Sequence, residues 1–431
     1  MKDINIGILG FGTVGAGVVE ALQKNGDLIA ARTGVRPRIR RIADLDITTH
    51  RGVDVERELL TTDAQSVVED PQIDLIVELI GGASTARELI CRSLANGKPV
   101  VTANKALLAE QGAELLAAAE KSAADVYYEA SVGGGIPVIK AIREGLVANR
   151  FLEVVGILNG TCNYILTRME EESADFNSVL DAAQEAGYAE ADPALDVDGV
   201  DTAHKATILA SLAHGQWFGM KALSVEGIRG ISLRDIQYAS QLGYRIKLLA
   251  IVKQENGDVQ MRVHPTLIPK DSLLGSVKGV FNAVWVKGDV VGDTMYYGKG
   301  AGREATASAV IADIVDVGLN LQFGSHRRVP AFREHAGFSK LKPMSAVETR
   351  YYLRLQVKNR PGGMALITGV LGDRNISIAS VTQQEIHGET APVVLLTYEA
   401  READMQMAVK NLSELSVVTD TPVLLRIEDL D

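Results

Sequence analysis

The sequence predicts an α/β protein whose N-terminal part folds as a doubly wound parallel sheet. Two observations support this prediction. First, an apolar run at residues 4–9 leads into the glycine-rich sequence GFGTVG and then into an Ala/Val-rich helical pattern, which is the order strand, tight turn, helix. Second, short apolar runs keep alternating with helical patterns as far as residue 122, which is typical of βαβ units in a parallel sheet.

The first domain is predicted to span residues 1–130. Its third strand candidate is an apolar run bounded by Pro71 and Gly81, and a shorter apolar run follows between two helical patterns. The predicted strands are 4–9, 38–43, 73–80 and 99–102, and the predicted helices are 15–24, 84–96 and 106–122. Elements in this order form a Rossmann domain, a fold that commonly holds a dinucleotide.

Residues 131–304 have a different sequence pattern from residues 1–130 and are predicted to form a second α/β domain. Strands are predicted at 259–263 and 283–290, and the clearest helix at 198–213. A helical pattern at 305–320 has no strand after it, so it is expected to pack back on the first domain. Residues 321–349 have few periodic apolar positions and two prolines, which is typical of a linker.

The last part of the chain, residues 350–431, starts a new pattern. A strand at 351–357 ends in the turn sequence NRPG. A helix at 364–372, two strands, a helix at 401–412 and a final strand at 423–427 follow. This βαββαβ order predicts a small, separately folded module.

Charge and cysteine content exclude several classes of protein. The chain has 44 Lys and Arg against 55 Asp and Glu and no long basic run, so nucleic acid is not an expected partner. It has no run of about 18 apolar residues and no basic-then-apolar leader, so neither membrane insertion nor secretion is expected. Cys91 and Cys162 stand far apart, which favours a reducing compartment and argues against structural zinc. A cytoplasmic enzyme fits these bounds.

The GFGTVG loop is predicted to bind the pyrophosphate of a dinucleotide. Glycines at such a turn let backbone N–H groups approach the phosphates and let the helix pack against the strand. The pattern alone is weak, and a tight turn without a ligand is the alternative, but its place between a strand and a helix favours the cofactor. The residues concerned are Gly10, Phe11, Gly12, Thr13, Val14 and Gly15.

The choice between NAD and NADP stays open at this point. Asp44 follows the second predicted strand, where a carboxylate can accept hydrogen bonds from the ribose hydroxyls of NAD. Arg40 and Arg41 lie close by and could instead pair with the 2′-phosphate of NADP.

An acidic segment leads into a single lysine, Lys205, near the start of a helix. Its members are Glu190, Asp192, Asp196, Asp198 and Asp201. A solvated, well-capped helix start is the alternative, but residues 206–212 carry no charge, which predicts a buried helix and a partly desolvated lysine. Such a lysine can protonate the alkoxide formed when a hydride reduces an aldehyde. Carboxylates beside it would bind a substrate ammonium group, so the segment suggests an amino-acid-like substrate.

Two other polar segments are candidates for the site. Lys105 follows the end of a predicted strand, where ligands sit in doubly wound folds, and it is a second candidate acid or cofactor contact; a plain surface lysine is the alternative. NGTCNY, residues 159–164, is polar between two apolar segments, which suits a loop lining a site. Cys162 within it could be a nucleophile, but a lone cysteine is more often inert and buried.

These motifs, in this order, resemble those of homoserine dehydrogenase in its monofunctional form with a C-terminal ACT domain. The matching blocks are GFGTVG, TANKALLA, EASVGGGIPVI, NGTCNYIL, residues 190–205 and YYGKGAGREATASAV, which together reach across the chain. The resemblance implies the reversible NAD(P)-dependent reduction of L-aspartate 4-semialdehyde to L-homoserine, in threonine, methionine and isoleucine biosynthesis. It also implies that 131–304 is a catalytic and dimerisation domain and 350–431 an ACT regulatory domain.

The resemblance assigns roles residue by residue. Lys205 matches the proton donor and Lys105 the second lysine at the reacting centre. The positions that match substrate-binding residues are Glu190, Asp196, Asp201 and Thr161. Cofactor contacts beyond the glycine loop are matched by Lys105, Gly187 and Gly302. A monovalent cation site, usually for Na⁺, is matched by Glu129 and the backbones of Val132, Gly134 and Ile136.

The resemblance also bears on the cofactor, the effector and the assembly. Relatives that prefer NADP often have Arg-Asp-Leu after the second strand, whereas residues 43–45 here are Ala-Asp-Leu, which suits NAD at least as well. Threonine is the implied effector of the ACT domain, although such domains also serve only to assemble subunits, and a homodimer or homotetramer is expected. Another amino-acid dehydrogenase and a non-catalytic nucleotide and amino-acid sensor stay as alternatives. The sensor is disfavoured by the set Lys105, Glu190, Asp201 and Lys205.

Overall fold

The computed structural model describes residues 2–325, 328–335, 340–383 and 388–430. They fold into two compact units, each drawn from several stretches of chain. The first unit comprises Met1–Gly160, Asp201–Leu223 and Val280–Phe338, and the second comprises Thr161–Val200, Ser224–Gly279 and Ser339–Asp431. Because the units alternate along the chain, the domain bounds expected at 1–130, 131–304 and 350–431 stay predictions.

A six-stranded parallel sheet lies at the centre of the first unit. Its strands in chain order are Lys2–Leu9, Val35–Ala43, Leu60–Thr61, Leu75–Glu78, Val100–Thr102 and Val126–Tyr127. Lys2–Leu9 lies between Val35–Ala43 and Leu75–Glu78, and the later strands continue outward beyond the latter. The strand order therefore reverses beside Lys2–Leu9, and ligands bind at the carboxyl ends of strands at such a reversal. The predicted doubly wound parallel sheet is confirmed.

Several helices of the first unit begin at caps that the sequence supplies. The helices are Thr13–Thr33, Ala64–Glu69, Ser84–Ala95, Lys105–Ser122, Val138–Lys140, Val200–His214 and Arg303–Phe323. Asp63 accepts the backbone N–H of Ser66, and Asn104 accepts that of Leu107, so both side chains satisfy helix N-termini. Within the described ranges, no helix is both long enough and apolar enough to cross a lipid bilayer.

The helix Arg303–Phe323 packs against Thr13–Thr33, as the pattern at 305–320 predicts. Its residues in the core of this unit are Ala307, Val310, Ile314 and Val317. The helix continues beyond the prediction because Leu321 also packs against this core, so the first residues of the expected linker 321–349 are helical. Residues 326–327 and 336–339 of that linker lie outside the described residues.

An antiparallel group of strands completes the first unit. Phe281–Gly288 lies between Phe151–Ile157 and Gly292–Lys299. The strand predicted at 283–290 therefore ends earlier than expected, because residues 289–291 form the turn to the next strand. The helix Val200–His214 is buried along nearly its whole length, as its uncharged run predicts.

A mixed sheet organises the second unit. In sheet order its strands are Tyr244–Glu255, Asp258–Pro269, Val423–Ile427, Glu348–Lys358, Thr390–Thr397 and Ile378–Gln383. Its helices are Gly160–Glu172, Phe176–Glu185, Ala194–Val197, Leu233–Gln241, Gly363–Gly372 and Glu402–Ser413. The strand predicted at 259–263 extends to Pro269, because it pairs with Tyr244–Glu255 along its full length.

The C-terminal module has the predicted order of strands and helices, and its last strand continues the sheet of the preceding chain. Glu348–Lys358 pairs in antiparallel fashion with the last strand, Val423–Ile427. On its other side, Val423–Ile427 pairs in parallel with Asp258–Pro269, with Arg426 opposite Thr266. The module has a hydrophobic core cluster of its own, which includes Tyr351, Ile367 and Leu395. Its last strand also joins the preceding hairpin in one sheet, and independent folding of the module stays a prediction.

Candidate active site

The glycine loop, residues 10–15, follows the central strand of the parallel sheet. Gly10 has φ +100°, and a Cβ there would lie 2.6 Å from the backbone of Leu79, so this position needs glycine. A Cβ on Gly12 would meet nothing within 4 Å, so open space lies beside the N-terminus of the helix Thr13–Thr33. The first turn of this helix has no acidic residue. This arrangement fits the pyrophosphate of a dinucleotide.

Asp44, expected at the adenosine end of the cofactor, is bonded to the glycine loop. One carboxylate oxygen accepts the backbone N–H of Phe11 at 2.5 Å, and the other accepts that of Asp46 at 2.9 Å. Asp44 thus fixes the loop conformation in this structure. Its hydrogen bonds to a ribose stay a prediction.

The outer positions expected to contact the cofactor have partners within the first unit or face open space. Arg40 lies 3.6 Å from Asp70, and Arg41 donates to the carbonyl of Glu58 at 2.6 Å. Gly302 has φ +115°, and a Cβ there would meet nothing within 4 Å. Since both arginines are engaged by protein oxygens, the choice between NAD and NADP stays open.

Three predicted residues from two distant parts of the sequence meet in the first unit. Lys205 Nζ donates to Asp201 Oδ2 at 2.7 Å and to the carbonyl of Leu158 at 2.6 Å. Lys105 Nζ lies 3.2 Å from Asp201 Oδ1. Asn159, which the sequence did not single out by itself, donates its side-chain N–H to Asp201 Oδ2 at 2.9 Å. We call Lys105, Asp201 and Lys205 the lysine cluster.

The lysine cluster pairs one carboxylate with two ammonium groups. Burial by itself would raise the pKa of Asp201, but the charges of Lys205 and Lys105 and the hydrogen bonds to its carboxylate hold that pKa well below its usual value. Asp201 is therefore ionised at neutral pH, and the cluster has an excess of positive charge. The Lys205 side chain is 10% exposed, whereas that of Lys105 is 42% exposed. Lys205 is thus shielded from bulk water and Lys105 is accessible.

Glu78 is a buried carboxyl group that the sequence analysis missed. It accepts the hydroxyl of Thr102 at 2.6 Å and the backbone N–H of Ile80 at 2.8 Å. Thr102 Oγ1 in turn accepts the N–H of Asn104 at 3.0 Å, and Asn104 directly precedes Lys105. Burial raises the pKa of Glu78. Its signal in the sequence was a charged residue at the end of an otherwise apolar strand.

The NGTCNY motif forms a helix start rather than the expected loop. The helix Gly160–Glu172 begins inside it, because apolar side chains at helical spacing follow and are buried. Thr161 Oγ1 donates to the carbonyl of Tyr188 at 2.8 Å, and Cys162 Sγ donates to the carbonyl of Asp196 at 3.2 Å. Cys162 is fully buried, which fits a structural role rather than that of a nucleophile.

The other residues expected to bind substrate and cofactor lie in the second unit. Glu190 is exposed, and Asp196 is half-buried in the short helix Ala194–Val197. Gly187 has φ +74° and follows the helix Phe176–Glu185. The first unit holds the lysine cluster, and the second holds Thr161, Gly187, Glu190 and Asp196.

The predicted cation site centres on Glu129 in the first unit. Its carboxylate oxygens accept the backbone N–H groups of Ile139 at 2.9 Å and Lys140 at 2.7 Å. Burial raises the pKa of Glu129 to about 7. The remaining expected ligands are backbone groups of Val132, Gly134 and Ile136. In the part of the chain that the structure describes, no group of three or more His, Cys, Asp or Glu side chains could hold a metal ion.

Known proteins match this chain along its length. Family models match at residues 137–315 (homoserine dehydrogenase), 10–129 (homoserine dehydrogenase, NAD binding domain) and 351–416 (ACT domain). The homoserine dehydrogenase of Pseudomonas aeruginosa is 44% identical over 436 residues, covering 100% of both chains. The chain belongs to the homoserine dehydrogenase family. It is therefore an oxidoreductase of amino-acid biosynthesis with a NAD-binding domain, and neither another amino-acid dehydrogenase nor a non-catalytic sensor is favoured.

Solved structures agree with this family. A homoserine dehydrogenase from Thiobacillus denitrificans has a TM-score of 0.95 and 46% identity, covering 100% of this chain and 99% of that chain. A hyperthermophilic archaeal homoserine dehydrogenase in complex with NADPH has a TM-score of 0.64 and 26% identity, covering 76% of this chain and 100% of that chain. The fold expected for a homoserine dehydrogenase with an ACT domain is therefore confirmed.

Proposed function

We propose that the chain catalyses the reversible NAD(P)-dependent reduction of L-aspartate 4-semialdehyde to L-homoserine, with Lys205 as the proton-transfer residue. The observation that carries this proposal is the lysine cluster. Lys205 is buried, and its ammonium group is oriented by Asp201 and by the carbonyl of Leu158. A desolvated, preorganised donor of this kind is suited to a developing oxyanion.

A nicotinamide held at the glycine loop would supply the hydride that reduces the aldehyde carbon, and negative charge would then develop on the carbonyl oxygen. Lys205 transfers a proton from Nζ to this oxygen, so the N–H bond breaks as the O–H bond forms. Neutral Lys205 takes the hydroxyl proton in the reverse direction. Lys105 adds a second positive charge that stabilises the oxyanion. Asp201 orients both ammonium groups through its two oxygens.

The substrate's own ammonium group is proposed to bind to the carboxylates of the acidic segment. These are Glu190, Asp196 and Asp201, with the hydroxyl of Thr161 as a further contact. Their support is the negative charge of this segment, which complements an α-ammonium group and not a simple aldehyde. Gly187 and Gly302 are proposed as backbone contacts to the cofactor.

NAD and NADP both stay in the proposal, together with a monovalent cation such as Na⁺. The open space at Gly12 supports a dinucleotide, and the archaeal relative binds NADPH. The cation would be held by Glu129 and by backbone carbonyls of Val132, Gly134 and Ile136. Support for it is the all-oxygen donor set, which hard cations prefer.

Threonine is the proposed effector, a homodimer or homotetramer the proposed assembly, and the cytoplasm the proposed location. The ACT-domain match supports amino-acid regulation. The isolated cysteines, one of them fully buried, support a reducing compartment.

The proposal is tested by initial rates of homoserine oxidation with NAD or NADP, with and without threonine. Lys205→Met should lower kcat by at least about 100-fold, because it removes the proton donor and acceptor, and should leave nucleotide binding intact. Lys278→Met, which removes a surface lysine paired with Glu171, is the matched control and should keep normal turnover. Near-normal turnover of Lys205→Met would contradict the role of Lys205.

A further inference from the structure

Arg426 of the C-terminal strand Val423–Ile427 is the centre of a buried ion network in the second unit. Its guanidinium donates to both carboxylate oxygens of Glu226, at 2.9 and 2.8 Å, and to both of Glu402, at 2.8 and 2.5 Å. Tyr351 donates its hydroxyl to Glu402 at 2.8 Å. One guanidinium therefore joins the first residue of the helix Glu402–Ser413 to the segment that contains Glu226.

The segment around Glu226 in turn holds the residues that follow Asp196. The backbone N–H of Ile228 donates to the carbonyl of Val197 at 2.7 Å. Gly199 has φ +82°, and a Cβ there would lie 3.2 Å from the carbonyl oxygen of Glu226. The backbone of residues 226–228 therefore lies directly against Val197 and Gly199.

The same segment is anchored on its other side, which limits how it can move. Ser224–Val225 pairs in parallel with Arg262 and Val263, and the N–H of Glu226 donates to the carbonyl of Val263 at 2.8 Å. Glu226 is therefore held between a sheet strand and the acidic segment, and its carboxylate is fixed by Arg426.

We propose that Arg426 is a positioning residue: through Glu226 it sets the place of residues 196–199, and thereby the affinity for the substrate's ammonium group, from the start of the ACT-domain helix Glu402–Ser413. The inference rests on the proposed function, since it takes the acidic segment as the substrate-binding one. Arg426 belongs neither to the lysine cluster nor to the proposed substrate and cofactor contacts. Its effect is carried by Glu226 and by the backbone contacts to Val197 and Gly199.

Glu226 is the residue of this network to mutate, because its side chain is partly exposed whereas its partners are buried. The Arg426 side chain is 2% exposed and that of Glu402 4%, whereas the Glu226 side chain is 44% exposed. Burial by itself would raise the pKa of Glu402, but the hydrogen bonds and charge of Arg426 outweigh this and lower it. A change at Glu226 therefore leaves Arg426 paired with an ionised Glu402, so the network loses only its connection to the acidic segment.

The experiment compares Glu226→Gln and Glu226→Ala with the wild-type chain in steady-state homoserine oxidation. The KM for homoserine should rise by about 3- to 10-fold, the usual scale for mutations that couple two elements. The kcat and the KM for the coenzyme should change by less than about 2-fold, because the lysine cluster and the glycine loop are untouched. Glu226→Asp should restore part of the affinity.

Asp404→Asn is the matched control for these variants. Asp404 is a carboxylate in the first turn of the same ACT-domain helix, but its ion pair is with Arg401 at the surface. The KM of Asp404→Asn for homoserine should equal that of the wild type.

Either of two results overturns the inference: an unchanged KM for homoserine in a folded Glu226→Gln variant, or an equal loss of kcat and both affinities together with a fall in Tm. Failure of the proposed function looks different. In that case the wild-type chain itself would not oxidise homoserine, or Lys205→Met would keep its turnover.

Discussion

Two buried lysines of this chain are held in opposite ways. Lys205 faces the carboxylate of Asp201, whereas Lys247 Nζ donates to the neutral side-chain oxygen of Asn163 at 2.8 Å and to the carbonyl of Val277 at 2.5 Å. Burial lowers the pKa of Lys247 to about 7. An ammonium group buried against neutral oxygens lowers the stability of the folded state. Protonation of Lys247 should therefore make the free energy of unfolding depend on pH.

Lys247→Met should change how stability depends on pH. In the unfolded chain a lysine has its ordinary pKa of about 10.4. Between pH 7 and that value, the unfolded chain therefore binds more protons than the folded one. The free energy of unfolding of the wild type consequently increases as pH rises through this window. The gain is on the order of 5 kcal/mol in free energy of unfolding over this window. The Tm of Lys247→Met should therefore exceed that of the wild type most at pH 7 and lose this advantage towards pH 10.

Lys121→Met is the control for that measurement, because Lys121 is exposed in the helix Lys105–Ser122. Its Tm should follow that of the wild type at every pH. A constant difference in Tm between Lys247→Met and the wild type from pH 7 to 10 would show that the ammonium form is not the destabilising one.

The central residues of the candidate site could be predicted from the sequence, but their supports could not. Asp201 and Lys205 are four residues apart on one helix, so their contact follows from helical spacing. The contact of Glu78 with Thr102, and that of Asn159 with Asp201, join residues that are far apart in the chain. Such contacts follow from the packing of strands and helices, and no local pattern encodes them.

At the scale of elements, the helix Lys105–Ser122 depends on a close contact at Gly112. A Cβ on Gly112 would overlap the indole ring of Trp217. The indole N–H of Trp217 donates to the carbonyl of Leu108 on this helix at 3.0 Å, and its ring meets that of Tyr128 edge to face. Gly112 therefore lets Trp217 lie directly on the helix that begins with Lys105.

Gly112→Ala should destabilise the protein although alanine is the better helix former. Replacing glycine by alanine inside a helix ordinarily adds about 1 kcal/mol of stability. Here the added methyl group must displace Trp217, and overpacking of this kind costs about 1–3 kcal/mol. The Tm of Gly112→Ala should fall by a few degrees, and the tryptophan fluorescence spectrum should shift.

Gly26→Ala provides the comparison for Gly112→Ala. Gly26 lies inside the helix Thr13–Thr33, and a Cβ there would meet nothing within 4 Å. The Tm of Gly26→Ala should equal or exceed that of the wild type. A higher Tm in both variants would mean that Trp217 does not pack closely enough against Gly112 to exclude a methyl group.

Most element types follow from the sequence, whereas several ends do not. The first helix was expected to stop at residue 24, before Asn25-Gly26, but it continues to Thr33 because Ile29 and Ala30 also pack into the core. The second strand was expected to begin after Pro37, but it begins at Val35. A proline is tolerated there because the neighbouring strand Leu60–Thr61 pairs only with Ile42 and Ala43 and leaves Pro37 at an edge.

At the scale of the whole molecule, buried ion pairs join the C-terminal module to the rest of the second unit. Arg354 donates to the fully buried carboxylate of Asp235 at 2.6 Å. Arg262, 2% exposed, donates to Glu428, to which Lys253 also donates at 2.7 Å. These charges come from both sides of the boundary between the module and the preceding chain. These ion pairs therefore link the module to the rest of the second unit.

A chain truncated after Val347 should consequently fail to fold stably, whatever the module does in regulation. The truncation leaves Arg262 and Asp235 without their oppositely charged partners, and each buried charge left unpaired costs about 3–5 kcal/mol. Two such losses equal much of the 5–15 kcal/mol that typically stabilises a protein. Thermal unfolding should show a greatly lowered Tm or no soluble chain, and Arg262→Met with Asp235→Leu should restore part of the stability. A truncated chain with the Tm of the full chain would show that the preceding chain folds without the module.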